Sequence, residues 1–472
     1  MLIYKKIITV LTLGAFLFGT SLIIVPEGRC ITIQEERELA KEFMAVLKTT
    51  YTLIDDPVIV DYVNAVGNRI MAAIPPQPFK YKFYVIQEDV YNAFATPAGH
   101  IFINSGLFAA LASEEELAGI LGHEIAHVVC RHISQRIESS KKIGMASLAG
   151  MVAGVLLGAG GAGAAASALT VGSVAAGQTA ALAYSRENET QADQLGLGYL
   201  TGAGYTGEGL LTSLQKIRSK QWYGSKQIPT YLTTHPAAEA RMSYIDNWLH
   251  QNRTESAPAR DETGGFPLAH TRIVALYTDA KSALAYYASS VAASPGDPLA
   301  HYGYALALTR SGKWNEAIDH MQRAIEGNAM ATHMLQDLGK IYFQDGQYKK
   351  ALNTLAASRS ETYPEGQLYL GRSQLELGQL AAARETFDNL VRYHEDYTQA
   401  YYYLGESSGR LGDMFAAHYN LGRFYGLKGD RENANFHLNR AMKLAASDAQ
   451  REQVERQIED LDPKKDKKSK AG

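Results

Sequence analysis

The sequence predicts an α+β domain, mainly helical with a small sheet, followed by an all-α solenoid of stacked helix pairs. Three observations carry that expectation: two strand-like segments between residues 79 and 104, a capped and proline-free segment after Ser113, and a glycine–alanine spacing that recurs in the C-terminal third. At 472 residues the chain is too long for one ordinary core, and 46% hydrophobic against 20% charged residues describes a folding chain. A net charge of −3 supplies no basic face, so no nucleic-acid partner is expected.

Taken in order, Lys5 and Lys6 precede an uncharged apolar run from Ile7 to Val25, the pattern of an export signal over residues 1–26. Gly19 and Ser21 suit a cleavage site, yet the run is just long enough to span a bilayer, so cleavage and retention as an anchor both stay open. A domain over 27–250 follows. Glu35–Lys48 and Asp56–Ile74 read as amphipathic helices, and Pro75, Pro76 and Pro78 end the second. Phe79–Gln87 and Gly99–Asn104 read as strands, rich in aromatic and β-branched residues. Ser113 stands three residues before Glu116, the spacing of a capping box, and no proline interrupts the chain from there to about Arg136.

Between Lys142 and Arg186 no charged residue occurs, and Gly and Ala dominate. A small-residue helical pair packed on the domain is the expected form, with membrane insertion of Ile143–Tyr184 as the rival. Only Cys30 and Cys130 are present, which is no disulfide framework; Cys130 is expected to be buried, and a bond to Cys30 is the alternative that export permits.

Residues 251–266 mix Asn, Ser, Pro, Asp and Gly and read as a linker. Over 267–460, Gly339, Gly371, Gly405 and Gly422 each precede an alanine by one interval, at Ala351, Ala383, Ala417 and Ala434, and Ala305 with Ala317 forms a degenerate member. Turn glycines Gly312, Gly346, Gly378, Gly412 and Gly429 fall five residues before each second alanine. The period of about 34 residues is that of the tetratricopeptide helix–turn–helix. The last two units are offset by half a period, so one helix is expected to serve both. Residues 461–472 are a lysine-rich tail that reads as a solvated end.

The chemistry lies in His123-Glu124-Ile125-Ala126-His127 on the capped helix. Residues four apart share a helix face with Cβ atoms about 5–6 Å apart. Two imidazoles so placed reach one zinc ion at about 2.0–2.1 Å, and Glu124 beside the first can act as general base on the water the metal activates. A catalytic zinc wants three protein ligands. Glu189 is the candidate third, with Asp193 four residues on to hold a ligand imidazole through its second nitrogen. The bland alternatives are half-buried histidines and an exposed acidic helix face.

Together, His123 to His127, Glu189 with Asp193, and Thr234-His235-Pro236 resemble the motifs of the gluzincin metallopeptidases that have integral-membrane and periplasmic members, the CAAX-prenyl proteases among them. The similarity extends over essentially the whole mature chain. It implies one zinc ion per chain held by His123, His127 and Glu189, with Glu124 as base and His235 able to approach or cap the metal. Gln191 stands where relatives often carry an acidic residue. Arg241 is left open between stabilising an oxyanion and pairing with a carboxylate, and His132 and His100 read as non-ligands. Asn92–Ala95, leading into Gly99, His100, Ile101, Phe102, Ile103 and Asn104, resembles an edge strand to which a peptide substrate adds. The implied function is a periplasmic endopeptidase for unfolded or misassembled, outer-membrane polypeptides, with the repeats recruiting substrate or an outer-membrane protein assembly complex. The competing reading is a repeat scaffold or chaperone with an occluded, weakly active zinc site.

Overall fold

A computed structural model describes residues 31–139, 184–223, 229–252, 265–326, 332–358 and 363–461. The apolar N-terminal run expected to be an export signal, Cys30, residues 143–183, and most of the linker and of the basic tail lie outside the described residues. The chain divides into two compact units, one of residues 1–54 with 63–261 and one of residues 55–62 with 262–472.

In the first unit, α1 (Ile33–Thr50) starts at a full capping box, Thr32 with Glu35. After it come β1 (Leu53–Ile54), α2 (Pro57–Ala72, of which residues 57–62 belong to the second unit), β2 (Lys82–Ile86), β3 (Ala93–Thr96) and β4 (His100–Asn104). The four strands form one sheet in the order β1-β2-β4-β3. β2 and β4 run parallel with Lys82 opposite His100, whereas β1 and β3 lie antiparallel to their neighbours. Phe43 and Leu47 of α1 cover Phe94 and Phe102, whose rings stack at 4.9 Å. The strand expectation for 99–104 needs a correction. β4 is hydrogen-bonded on both sides, so Gly99–Asn104 offers no free edge to a peptide; the outer strands are β1 and β3.

Next come α3 (Ser105–Ala110), α4 (Glu114–Val129) and α5 (His132–Ser139), then α6 (Arg186–Gly202), α7 (Glu208–Tyr223), α8 (Thr230–Thr234) and α9 (Ala238–Gln251). Almost every residue of α4 is buried, which makes it the axis of the unit. Ser113 accepts from Glu116 N, but Glu116 reaches Ala112 N at 2.6 Å, one residue before its capping-box partner. The three first-turn glutamates suit the positive end of the helix and each has a partner: Glu114 with Arg69 and Tyr205, Glu115 with Thr206 N, Glu116 with Lys216. Glycine lets the neighbouring helices approach α4. A Cβ on Gly209 of α7 would stand 1.8 Å from Glu115 O, and one on Gly196 of α6 would stand 3.2 Å from Gly122 O. The proline-free segment is not one helix. It breaks after Val129, where Arg131 adopts a left-handed φ of 55°.

The second unit is all helical: α10 (Gly265–Tyr277), α11 (Ala280–Ala293), α12 (Pro298–Thr309), α13 (Trp314–Glu326), α14 (Thr332–Gln344), α15 (Tyr348–Ala357), α16 (Pro364–Glu376), α17 (Leu380–Tyr393), α18 (Thr398–Arg410), α19 (Met414–Leu427), α20 (Arg431–Leu444) and α21 (Asp448–Asp460). The helical unit therefore starts two residues earlier than the linker expectation allowed, with Gly265 and Phe266 already in α10 and Phe266 buried. The five turn glycines all have positive φ, the conformation that ends one helix and starts its partner. Gly339 and Gly371 sit under Leu355 and Phe387 of the paired helix, where a Cβ would collide at 2.4 and 2.5 Å. The half-period offset resolves as expected: α19 carries both Ala417, against Gly405 of α18, and Gly422, against Leu438 of α20. Among the described residues no helix is long and apolar enough to cross a membrane. Cys130, expected to be buried, is half-buried and has no disulfide partner among the described residues.

Candidate metal centre

α4 supplies His123 and His127 one turn apart, and α6 supplies Glu189 and Asp193 one turn apart. A capping box of Ser185 with Asn188 fixes the start of α6, so Glu189 enters on its first turn. His235 closes the short α8, its N–H on Tyr231 O at 2.8 Å. All five side chains, and Glu124, are fully buried.

One ligand atom each of His123, His127, Glu189 and His235 lies within 4.8 Å of the other three. His123 Nε2 and His127 Nε2 stand 3.0 Å apart, and His127 Nε2 is 3.3 Å from Glu189 Oε1. His235 Nδ1 is 3.3 Å from His123 Nε2 and 3.1 Å from Glu189 Oε1. Tetrahedral ligands at about 2.0–2.1 Å from zinc lie about 3.3–3.4 Å from one another, so these spacings fit a metal. Charge points the same way. Buried Glu124, Glu189 and Asp193, when ionised, outweigh the single buried guanidinium of Arg241 by two negative charges, which a divalent cation cancels.

Arg241, which the sequence left open, lies between two carboxylates: it grips Asp193 with Nε at 2.7 Å and Nη2 at 2.8 Å, and its Nη1 lies 2.5 Å from Glu189. Asp193 also accepts from Tyr244 and faces His123 Nδ1 at 2.7 Å. That contact places the His123 proton on Nδ1 and leaves Nε2 as the donor to a metal. Burial opposes ionisation of Asp193 and Glu189, but Arg241 with His123 holds the first low and Arg241 with His235 holds the second well below the usual carboxylate range. Burial drives His127 well below its ordinary value, which keeps it neutral. His235 is shifted up, because Glu189 and Glu124 outweigh its burial.

Glu124 differs from the other carboxylates. Neither of its oxygens has a hydrogen-bond partner among the described residues, and His235 Nε2 stands 3.6 Å away. Burial raises its carboxyl above the ordinary carboxylate range against the pull of His235 and His123.

Of the other residues singled out in the sequence, His100 stacks on Tyr84 in the sheet and takes no part in this cluster. Three further residues border the cluster without belonging to it, His132 among them, as its reading as a non-ligand expected. Tyr184 stacks on His127 at 3.8 Å, Tyr231 stacks on His235 at 4.3 Å, and His132 touches His127. Tyr231 lies four residues before His235, a helical spacing that could have flagged it. Nothing local marks Tyr184.

Residues 60–249 match the Peptidase family M48 profile. Residues 278–333, 368–417 and 415–448 match tetratricopeptide repeat profiles. The β-barrel assembly-enhancing protease of Escherichia coli (strain K12) is 27% identical over 395 residues, covering 82% of this chain and 79% of its own. Its Yersinia pestis counterpart is 27% identical over 390 residues, 79% of this chain and 76% of that one. The mitochondrial metalloendopeptidase OMA1 of Schizosaccharomyces pombe is 26% identical over 212 residues, 43% of this chain and 57% of its own. The chain is thus a metalloprotease, with a peptidase family M48 domain that implies a bound metal ion and tetratricopeptide repeats after it.

Proposed function

We propose that this protein is a zinc-dependent endopeptidase of the periplasm that acts on unfolded or misassembled polypeptides, outer-membrane proteins foremost, and that its repeats recruit the substrate or an assembly complex. The observation that carries the reading is the buried convergence of His123, His127 and Glu189 beside the Glu124 carboxylate, which has no hydrogen-bond partner among the described residues. In this reading His123, His127 and Glu189 hold one zinc ion per chain. Zinc, when bound, polarises a scissile carbonyl and lowers the pKa of water to about 7. Glu124 takes the proton of the attacking water and returns it to the leaving amine. Asp193 keeps His123 in its binding tautomer, and Arg241 serves as the shared counter-ion of Asp193 and Glu189. The inner strand β4 is paired on both sides and the four residues of the outer strand β3 (93–96) are fully buried, so neither offers an accessible edge for an extended peptide to join. The cellular setting rests on the relatives' names and on the apolar N-terminal run.

A second reading is favoured by one observation. His235 Nδ1 occupies a fourth ligand position in the cluster, where it competes with water or substrate. The resting enzyme is then occluded, and the scaffold role of the repeats dominates until His235 withdraws. Replacement by alanine separates the two readings. Higher peptide hydrolysis by His235→Ala with unchanged zinc content supports occlusion; equal or lower hydrolysis contradicts it. For the ligand assignment itself, zinc content near one per chain that is lost in His123→Ala is the expected result, and zinc retained in that variant contradicts it.

A further inference from the structure

The helix break after Val129 bends the chain so that the next residue but two lies under the motif. A left-handed conformation costs a non-glycine residue roughly 1–2 kcal/mol, so something must hold Arg131 there. Its guanidinium Nε sits 2.6 Å from the buried Glu36 carboxylate, and a second nitrogen reaches Ile31 O. The result is that His132, 1% exposed, meets His127 edge to face, with Nδ1 of the two rings 2.9 Å apart. The far nitrogen of His132, Nε2, lies 3.0 Å from Gln191 Oε1. Gln191 stands on α6 between Glu189 and Asp193.

Protons can be assigned along this line. An amide oxygen only accepts, so His132 Nε2 carries the hydrogen. A neutral His132 then has a bare Nδ1, which accepts from His127 Nδ1–H. That leaves the lone pair of His127 on Nε2, the atom facing His123 and Glu189. We infer that His132 is a positioning residue for His127: it fixes the ring and its tautomer through Nδ1, and Gln191 sets the direction of the relay. The inference rests on the reading of His127 as a zinc ligand. The two imidazoles of the motif are thereby held by different means, His123 by the charged Asp193 and His127 by a neutral imidazole and amide that add no charge to an already anionic cluster.

The test is zinc affinity of the full chain, by chelator competition, together with the unfolding midpoint of each metal-free protein. His132→Leu removes the acceptor and is expected to weaken zinc binding about 10–100-fold, the usual effect of losing such a partner. His132→Asn puts an amide oxygen near the lost Nδ1 and should restore affinity to within about threefold. Gln191 is exposed, so water can replace it; Gln191→Leu should cost about threefold to tenfold, and Gln191→Glu, which only accepts, should cost nothing. Unchanged affinity in His132→Leu overturns the inference. Equal losses in His132→Leu and His132→Asn, tracking a drop in metal-free stability, also overturn it by reducing His132 to packing. Failure of the unmutated chain to bind zinc would defeat the metal reading itself, an outcome distinct from either.

Discussion

Replacing Arg241 by methionine tests whether the buried guanidinium is a counter-ion or part of the reaction. The side chain is 1% exposed and is the cation between Asp193 and Glu189, with N–O distances from 2.5 to 2.8 Å. Methionine fills similar space and carries no charge. Removing one partner of a buried ion pair costs about 3–5 kcal/mol, because the other charge stays behind. Asp193 keeps His123 and Tyr244 as neighbours, which argues for the lower half of that range. For a unit of this size about 3–4 kcal/mol lowers the unfolding midpoint by roughly 6–16 °C. Thermal unfolding with chelator present reads this directly. With zinc the loss should shrink, since the ion offsets the Glu189 charge. A midpoint within about 2 °C of the unmutated chain under chelator, joined to a large loss of hydrolysis, would refute the counter-ion role and assign Arg241 to the reacting carbonyl.

Further expectations concern packing. Gly209→Ala places a methyl 1.8 Å from Glu115 O, so α7 must move off the motif helix; about 1–3 kcal/mol of stability should be lost in urea unfolding, and a neutral variant would show that this crossing is not tight. Gly378→Ala meets open space but a φ of 73°, so the second unit should lose only about 1–2 kcal/mol, seen as a lower midpoint with zinc content unchanged. Within the second unit, Arg272 is 6% exposed and reaches Asp56 at 2.6 Å, Asp337 and Tyr302. Arg272→Met should therefore cost about 3 kcal/mol or more in urea unfolding, and a smaller loss than 1 kcal/mol would mean the carboxylates find other partners.

What could be read from the sequence was local. The spacing of His123 and His127, the Ser113 cap, and Glu189 four residues before Asp193 are one-turn relations, and the structure brings His123, His127, Glu189 and Asp193 into one cluster. The turn glycines and the double use of α19 followed from a repeat whose units contact only their neighbours. What failed depended on distant partners. Nothing in Gly99–Asn104 tells whether β3 folds back beside it, so an inner strand passed for an edge. The break at Arg131 has no glycine or proline to announce it; it is imposed by Glu36 and Ile31, about a hundred residues earlier. With that break hidden, nothing marked His132, read as a non-ligand, as a neighbour of His127.

The most direct test of the account is casein hydrolysis and zinc content, measured side by side on the unmutated chain and on Glu124→Gln. Glu124 is the buried carboxylate with no hydrogen-bond partner among the described residues, and glutamine keeps its shape while removing the base. The account predicts near one zinc per chain in both and a fall in hydrolysis of about 10²–10⁴-fold in the variant. Equal hydrolysis by the two proteins, at equal zinc content, would contradict it.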